Sequence, residues 1–480
     1  MSTVTPAEPS VDDRPQPPAA AEPVWSYPSS PAGPADGESL TAAPPELALS
    51  PARQGLRFAA RPMSFAIGAH RRFGDVWTLR MPMRPEGMTV SCHPDHLQSL
   101  LKAKPADAPS LTGESPLRPI LGPDSVLTAV GERHMRQRKL LLPPFHGEAV
   151  QQYVEMIREV AEAEIDGWRP GAEFALAPRM QAVTLEVIMR GIFGMKPGER
   201  GPMGRMRETI RRLLYLSTTP LYMLFELHNH GAREPKDLLA GMLKISDRQM
   251  YAVIRARRAD PGHEQRTDVL SLLLAARDEE GRPLSDKEMR DELMALVLAG
   301  HETTANSLAW ITERLMRTPD AYDGLRDAVR SGDEQRRADW IEATIHEGMR
   351  ARPVIPMIVR MVKRTWRFGD YVIGPDSATA VSILGLHHRS DIYPEPARFR
   401  PERFLGRKPG TYTWIPFGGG IRRCLGASLA MAEQRVMLEA IIRRTELSAP
   451  DPRPEAPRMR NVTMIPSHGC RVRVEARQSS

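Results

Sequence analysis

The residues best suited to chemistry lie around Cys424, near the C-terminal end. The run 417–426 reads FGGGIRRCLG, so three glycines and two arginines precede the cysteine. Glycines allow the backbone to approach a partner closely, because no Cβ stands in the way. The helix predicted to start just after Cys424 adds its positive N-terminal end, and the arginines favour a thiolate. These residue types predict a cysteine held as an anion beneath a flat partner.

Three interpretations of Cys424 follow from these residues alone. It could be a structural cysteine beside a glycine turn, a nucleophile that needs a His base, or the axial thiolate of a haem iron. The spacing Phe-x-x-Gly-x-Arg-x-Cys-x-Gly is fully met here and resembles the haem-binding loop of the cytochrome P450 monooxygenases. That resemblance implies that Cys424 is the ligand of the haem iron. It also places five further residues of the loop at the cofactor: Phe417, Gly418, Gly420, Arg422 and Gly426.

A second stretch, AGHETT at 299–304, lies in the middle of an apolar helical pattern. A threonine hydroxyl in a helix can bond a carbonyl one turn earlier, and an acid beside an alcohol is a route for protons. A helix with a few tolerated polar residues is the alternative. The stretch resembles the oxygen-activation helix of the same family. The resemblance implies that Ala299 borders the haem, that Thr303 holds the proton-delivering hydrogen bond, and that Glu302 relays protons from solvent.

Basic residues in two other segments could bind carboxylates. His134 and Arg138 are four residues apart in a helical pattern, so they share one helix face. A solvated basic face is the plain alternative. The segment resembles the family's helix beside the haem edge, which implies that His134 and Arg138 bind the haem propionates together with Arg422. Arg360, at the end of a predicted strand that starts at Val354, is expected to reach a propionate by the same resemblance.

A charged cluster is expected from a third resemblance. Glu347 and Arg350 are three residues apart, which in itself indicates an ordinary pair on one helix face. They match the family's Glu-x-x-Arg helix, and the segment Pro401–Phe404 (PERF) supplies a third member, Arg403. The resemblance implies a buried structural cluster of Glu347, Arg350 and Arg403 that braces the thiolate side of the haem.

These groups need a scaffold, and the pattern is mainly α-helical with a smaller β region. Residues 285–318 predict one helix, with Ser285 and Glu288 as its capping box and Pro319 at its end. This matches the cytochrome P450 fold, in which a long central helix crosses the haem. Residues 1–48 are rich in Pro, Ala, Ser and Glu, which predicts a disordered tail. Residues 49–480 are then expected to form a single catalytic domain.

Composition limits the location and the partners. The chain has 480 residues, three cysteines and a net charge of +7. So few cysteines argue against a disulfide framework and indicate a reducing compartment, which predicts a cytoplasmic protein. No run of about 20 apolar residues and no signal-peptide core occur, so we expect no membrane span. The positively charged residues form no long basic run, so we predict no nucleic-acid binding. We also expect a monomer.

The resemblance implies a haem-thiolate monooxygenase containing haem b. It would insert one atom of O2 into a C–H bond (hydroxylation) or a C=C bond of a lipophilic molecule: a terpenoid, steroid, fatty acid or polyketide. The chain has no flavin or iron–sulfur half, so electrons from NAD(P)H must come through a ferredoxin or flavodoxin with its reductase. An acidic partner of this kind could dock on a basic face. Its candidate residues are Arg136, Lys139, Arg407, Lys408 and Arg423.

The pocket and the rival functions complete the prediction. Peroxide-driven enzymes of the same fold commonly have other residues in place of the acid–alcohol pair. The pair is intact here, which favours an O2-dependent enzyme. A family member that rearranges or dehydrates its substrate without inserting oxygen stays an open alternative. A haem carrier needs no proton relay, and a gas sensor usually has an output domain. Apolar residues predicted to line the substrate pocket are Leu111, Leu121, Val126, Leu296, Val354, Ile355, Met357 and Met464.

Overall fold

The predicted central helix is the longest helix of the structure. We describe the chain from a computed structural model over residues 25–115, 117–145, 147–216 and 234–478. The helix spans Asp286–Met316, and its capping box is confirmed: the Ser285 hydroxyl accepts from the backbone N–H of Glu288, while the Glu288 carboxylate accepts from that of Ser285. These bonds satisfy donors that a helix start leaves unpaired. The next helix starts at Pro319, because proline suits a first helical turn but not a helix interior.

Helices dominate the described chain, so the prediction of a mainly α fold is confirmed. Within the described ranges, none of them combines the length and the apolar character needed to cross a bilayer. Their bounds are α1 Pro51–Ala60, α2 Pro62–Phe73, α3 Pro94–Lys102, α4 Arg118–Leu121, α5 Gly131–Leu141, α6 Glu148–Asp166, α7 Leu176–Phe193, α8 Gly201–Leu216, α9 Asp237–Ala259, α10 Val269–Ala275, α11 Asp286–Met316, α12 Pro319–Arg330, α13 Glu334–Ala351, α14 Ile383–His387 and α15 Ala427–Arg444.

Short strands form four small sheets in the described ranges. The strand bounds are β1 Ala32–Pro34, β2 Val76–Met81, β3 Arg84–Ser91, β4 Glu173–Ala175, β5 Met357–Val362, β6 Trp366–Phe368, β7 Tyr371–Ile373, β8 Ser377–Ser382, β9 Thr445–Ser448, β10 Pro457–Arg460, β11 Thr463–Pro466 and β12 Arg471–Arg477. The largest sheet has the order β2-β3-β8-β5, and only its β3–β8 pairing is parallel. The others have the orders β1-β6-β7, β4-β12-β9 and β10-β11.

Two large apolar clusters hold α11 in place. Leu293, in its first half, belongs to a cluster that includes Met250 of α9. Leu308, in its second half, packs in a cluster with Ile441 of α15. The helix that follows Cys424 is therefore packed against the central helix, and this packing sets the position of the cysteine loop relative to the 299–304 segment.

The N-terminal segment corrects one prediction. Strand β1 pairs antiparallel with β6, and Trp25 packs its ring on Tyr393 and Phe404 at centroid distances of 5.0 and 5.6 Å. The prediction of disorder through residue 48 is therefore wrong for residues 25–48, and residues 1–24 lie outside the described residues. Composition missed the order because an aromatic anchor and a strand pairing can offset the ordering entropy of a Pro-rich segment.

We expect Trp25→Ala to lower the stability of the protein by about 1–2 kcal/mol, because a half-buried aromatic ring loses its apolar contacts. The indole also donates a hydrogen bond to the carbonyl of Lys408. The thermal unfolding midpoint measures the effect. Leu40→Ala, at a residue of the same segment that is 61% exposed, is the control and should leave the midpoint unchanged. Equal midpoints for the Trp25 variant and the unmodified protein would mean that the segment is not anchored in solution.

Candidate active site

The glycines of the cysteine loop are required by its geometry. Gly418 and Gly420 have φ values of +66° and +60°, which side-chain-bearing residues rarely adopt. A Cβ on Gly420 would also lie 2.4 Å from the carbonyl oxygen of Leu101. The loop is closed by a hydrogen bond from the Cys424 N–H to the Phe417 carbonyl at 2.9 Å. Gly426 then caps α15, so Cys424 sits just before the N-terminus of that helix, as predicted.

The side chain of Cys424 is accessible, although protein surrounds the residue closely. Burial raises the pKa of the Cys424 thiol, against a backbone hydrogen bond from Gly426 and the charges of Arg423 and Arg138, which lower it. In the protein alone, burial outweighs the contributions that lower the pKa of the thiol. A metal cation at the sulfur would supply the missing stabilisation, since a coordinating thiol is deprotonated by its metal.

The predicted propionate partners converge beside this loop. Arg422 donates to the carbonyls of Val126 and Ala129 at 3.2 and 2.5 Å. Arg138 donates to the carbonyl of Arg423 at 2.7 Å, and Arg360 donates to that of Val359 at 2.9 Å. None of these arginines is ion-paired with a carboxylate anywhere in the described ranges. Three positive charges are thus held together by neutral acceptors only.

Burial and mutual repulsion lower the pKa values of this cluster. Burial, and then the charges of Arg360 and Arg138, lower the pKa of Arg422 to about 10. Burial lowers the pKa of Arg360 to about 10 as well. Burial and the three arginine charges lower the pKa of His134 to about 3. Buried like charges are costly unless an anion pairs with them. The cluster therefore fits a ligand that carries carboxylates, which is what the propionates of haem would supply.

The central helix α11 is accessible on one face, at Ala299. Ala299 is exposed although Ala295 and Ala305, on the same helix, are 1% and 0% exposed. Thr303 lies one turn further on, and its Oγ1 donates to the Ala299 carbonyl at 2.6 Å. This is the back-bond expected from the sequence, and it weakens the regular helix at that turn. Ala299 and Thr303 thus line a space suited to a small ligand.

Glu302 points to another side of α11. Its Oε1 accepts from Arg460 Nη2 at 2.8 Å and from Thr463 Oγ1 at 2.8 Å. Both partners belong to the β10–β11 hairpin, and the Glu302 and Arg460 side chains are 15% and 19% exposed. The carboxylate is therefore near solvent but turned away from Thr303. A proton passing between Glu302 and Thr303 must travel by way of water or a change of partners at Arg460.

The predicted charged cluster is brought together by the structure. Glu347 and Arg350 are both fully buried, with Arg350 Nε and Nη2 donating to the two Glu347 oxygens at 2.6 and 2.8 Å. Arg403 Nε donates to Glu347 Oε1 at 3.3 Å. Arg350 also donates to the carbonyl of His387 at 2.9 Å. The three residues join α13 to the segment that leads into the cysteine loop.

Comparison with known proteins decides the family. A sequence profile described as Cytochrome P450 matches residues 54–472. The chain belongs to the cytochrome P450 family. It is therefore a haem-thiolate monooxygenase, an oxidoreductase that uses O2, and the predicted family and enzyme class are confirmed.

Relatives and solved structures agree with this assignment. The P450 is 35% identical over 448 residues to the putative cytochrome P450 135B1 of Mycobacterium tuberculosis, which covers 92% of this chain and 93% of that protein. It is 37% identical over 406 residues to the putative cytochrome P450 137 of the same organism, covering 84% and 83%. A structure described as retinoic acid bound cyanobacterial CYP120A1 matches with a TM-score of 0.76 over 92% of this chain and 100% of that one. At 21% identity this last match confirms the fold alone.

The predicted pocket residues of this P450, Val354 apart, belong to four apolar clusters. Leu121, Val126 and Leu296 lie in one cluster beside α11. Met464 is fully buried in a separate cluster, where its backbone N–H donates to the carbonyl of Val354. The remaining three divide between two further clusters, with Leu111 and Met357 in one and Ile355 in the other. Leu296 is the one predicted pocket residue that lies on α11, about one turn before Ala299.

Sequence reasoning missed a buried acid behind the 299–304 segment of this P450. Glu433, on α15, is 4% exposed and hydrogen-bonds the hydroxyl of Thr304. The next residue, Gln434, accepts from Ser307 of α11 at 2.7 Å. Burial raises the pKa of Glu433 to about 8, although the bond to Thr304 opposes the shift. A lone acid on the buried face of the helix after the cysteine was the available signal.

Glu433 should make the protein less stable as the pH rises. At low pH both the folded and the unfolded chain hold the proton. Above the ordinary pKa of 4.5 the unfolded chain loses it while the folded chain retains it up to about pH 8, so unfolding becomes more favourable across that window. We expect Glu433→Gln, which is always neutral, to raise the unfolding midpoint. The gain in the free energy of unfolding should be small at pH 5 and should grow to about a few kcal/mol at pH 8.

The matched control for Glu433 is Glu439→Gln on the same helix, where the carboxylate is 29% exposed and paired with Arg443. Its effect on the thermal midpoint should be similar at both pH values. A gain from Glu433→Gln that did not increase between pH 5 and pH 8 would show that Glu433 is not held protonated in the folded protein.

Proposed function

We propose that this P450 binds haem b through Cys424 and oxidises a lipophilic small molecule with O2. The observation that carries the proposal is a group of three arginines, Arg360 buried and Arg138 and Arg422 half-buried, next to an accessible cysteine and without a carboxylate partner among the described residues. Arg422 is two residues before Cys424, and Arg138 bonds the carbonyl of Arg423 beside it. A flat ligand with carboxylates at one edge and a metal at its centre would satisfy both groups at once. When bound, haem supplies the chemistry that activates O2.

The protein's own residues would manage protons in this reaction. One oxygen atom enters a C–H or C=C bond of the substrate, and the other leaves as water with two protons and two electrons. We propose that Thr303 Oγ1, held by the Ala299 carbonyl, orients the last proton donor. Glu302 would exchange protons with solvent at its carboxylate, whose Oε1 accepts from Arg460. The positions of both residues on α11 support this division of roles.

The substrate class is proposed from the side chains beside the open face of α11. Leu121, Val126 and Leu296 are apolar and cluster there. Such walls favour lipophilic compounds such as terpenoids, steroids, fatty acids or polyketides, because apolar surface gains free energy when it leaves water. Polar substrates would lose their hydration without replacement bonds along these walls.

Electrons are proposed to come from NAD(P)H through a ferredoxin or flavodoxin and its reductase, with the P450 acting as a monomer in the cytoplasm. The three unpaired cysteines support a reducing compartment. The basic face is smaller than predicted, since Arg136 is bonded to Asp278 and Glu288, and Lys139 is paired with Glu279. Lys408 and Arg423 are exposed and are the better candidates for docking an acidic partner.

Isotope labelling tests the reaction type. The haem-loaded protein is incubated under 18O2 with NADPH, a ferredoxin and its reductase, and a set of lipophilic compounds. The proposal predicts a product that has gained one labelled oxygen, and no product without the electron partners. A product formed only with hydrogen peroxide would indicate a peroxide-driven enzyme. A product without labelled oxygen would indicate rearrangement or dehydration and contradict oxygen insertion.

A further inference from the structure

A chain of hydrogen bonds joins the central helix to the cysteine loop through one residue, Val126. The N–H of Val126 donates to Glu292 Oε2 of α11 at 3.0 Å. The carbonyl of the same residue accepts from Arg422 Nη1 at 3.2 Å. Glu292 and Val126 are 0% and 7% exposed, so this link lies in the interior. The buried acid is therefore two hydrogen bonds away from the arginine that stands two positions before Cys424.

Val126 belongs to a turn, residues 125–129, that offers Arg422 two acceptors. The N–H of Ala129 donates to the carbonyl of Ser125 at 2.8 Å, which closes the turn. Arg422 Nη2 donates to the carbonyl of Ala129 at 2.5 Å, beside its bond to Val126. Because the turn is closed by its own hydrogen bond, a residue that fixes Val126 fixes both carbonyls that bind Arg422.

Three consecutive residues of α11 hold the segment that contains this turn. Arg290 Nη1 donates to the carbonyl of Ile120 at 3.0 Å, and Asp291 Oδ2 accepts from the N–H of Asp124 at 3.2 Å. Glu292 is the third. Of the three, it alone bonds a residue that also bonds the guanidinium of the cysteine loop, as far as the described chain shows.

Glu292 contributes position to this link rather than charge. Burial raises the pKa of Glu292 well above its ordinary value, the bond to Val126 opposes the shift, and nearby negative charges, Asp291 foremost, add to it. Both effects favour the neutral acid, whose Oε2 still accepts the N–H. Removing the side chain therefore changes the support of the turn without removing a charge from the surroundings of Arg422.

Arg422 needs support because its neighbours repel it. The charges of Arg360 and Arg138 act against its own, and the two carbonyls hold the guanidinium in place beside them. An arginine has five N–H donors, and the bonds to the turn use two of them. The remaining donors are left for an anion, so the turn fixes the guanidinium without occupying it fully.

We propose that Glu292 is a positioning residue for haem binding: by holding Val126, it keeps Arg422 in place with free N–H groups for a haem propionate. The inference rests on the proposed function, in which Arg422 binds a propionate. A positive charge beside a propionate favours the reduced state of the cofactor, because it offsets negative charge near the iron. Glu292 would then help to set the reduction potential of the protein without contacting the cofactor.

The reduction potential of the haem-loaded protein tests this link in a double-mutant cycle. We expect Arg422→Met to lower the potential. Glu292→Met should lower it by a smaller amount, since methionine leaves the Val126 N–H without an acceptor. The double variant should have the potential of Arg422→Met, because Glu292 acts through Arg422. Glu292→Gln should keep the potential of the unmodified protein, because its amide oxygen accepts from Val126 as the neutral acid does.

The matched control is Glu313, a second buried acid of α11. It is 1% exposed, and its Oε1 accepts from the backbone N–H of Glu455 at 3.1 Å. It lies about 30 Å from Glu292 along the helix axis. Glu313→Met should lower the unfolding midpoint as Glu292→Met does, but leave the potential unchanged. Equal potentials for these two variants would show that Glu292 is only structural, and shifts that add in the double variant would show that it does not act through Arg422. Either result would overturn the inference.

Amide hydrogen exchange tests the same link where Glu292→Met fails to fold. In Arg422→Met, the peptide that contains residues 125–129 should exchange faster than in the unmodified protein, because the turn has lost its two bonds to the guanidinium. Unchanged exchange of that peptide would also overturn the inference. A haem-loaded unmodified protein without the thiolate spectrum would instead count against the proposed function, so the two failures are distinguishable.

Discussion

Replacing Arg350 with methionine should cost about 3–5 kcal/mol of stability, because it leaves the buried Glu347 carboxylate without its two-fold partner. Arg350 and Glu347 are both 0% exposed, and they are three residues apart on α13. Arg403 and the backbone N–H of Arg400 would remain on Glu347, but neither replaces both bonds. We expect a lower unfolding midpoint and a smaller amount of bound haem, read from its absorbance relative to that of the protein.

The chain offers a matched control for this pair. Arg158 and Glu155 have the same residue types, the same spacing and a distance of 2.6 Å, but their side chains are 47% and 71% exposed. Arg158→Met should cost at most about 1 kcal/mol, as is usual for surface ion pairs. The double change Glu347→Gln with Arg350→Met should recover part of the loss, because no unpaired buried charge remains. If Arg158→Met and Arg350→Met destabilised the protein equally, the buried cluster would have no special structural role.

Thr303→Ala should lower the rate of product formation on the order of 10²-fold, the usual contribution of a positioned proton donor. The hydroxyl that bonds the Ala299 carbonyl is lost, and with it the proposed last step of the proton route. Electron supply does not depend on that hydroxyl, so NADPH should still be consumed while O2 is reduced without product. The ratio of product formed to NADPH consumed measures this directly.

Thr303→Ser is the control, because serine keeps a hydroxyl at the same position and can make the same back-bond. It should retain most of the coupling between NADPH consumption and product. The unfolding midpoints of both variants should stay close to that of the unmodified protein, so that a loss of folding is not mistaken for a loss of coupling. Full coupling in Thr303→Ala would rule out a proton-delivering role for this hydroxyl.

Features set by neighbours in sequence could be predicted without the structure. The capping box of Ser285 and Glu288 depends on residues three apart, and the glycine turn before Cys424 depends on local backbone conformation. The Glu347–Arg350 pair is local in the same way. Such contacts follow from the chain's own geometry, and all three are found in the structure.

Contacts between distant residues could not be predicted in this way. The partners of Glu302 are Arg460 and Thr463, about 160 residues further along the chain, so its turn away from Thr303 has no local signal. Glu292 meets Val126 across 166 positions. Trp25 was a local signal of order that the average composition of residues 1–48 does not reveal. An aromatic residue in a Pro-rich segment indicates that the segment packs on a surface. The predicted pocket residues stay a prediction, because apolar side chains also fill every cluster of the core.

The central claim is that Cys424 ligates haem as a thiolate, and the absorption spectrum of the reduced protein with carbon monoxide tests it most directly. The unmodified protein should show the band at about 450 nm that gives the family its name, which reports thiolate ligation. Cys424→Ser should lose that band, whereas Cys92→Ser, at another cysteine of the chain, should keep it. Bound haem without the band in the unmodified protein, or the band retained in Cys424→Ser, would contradict the account.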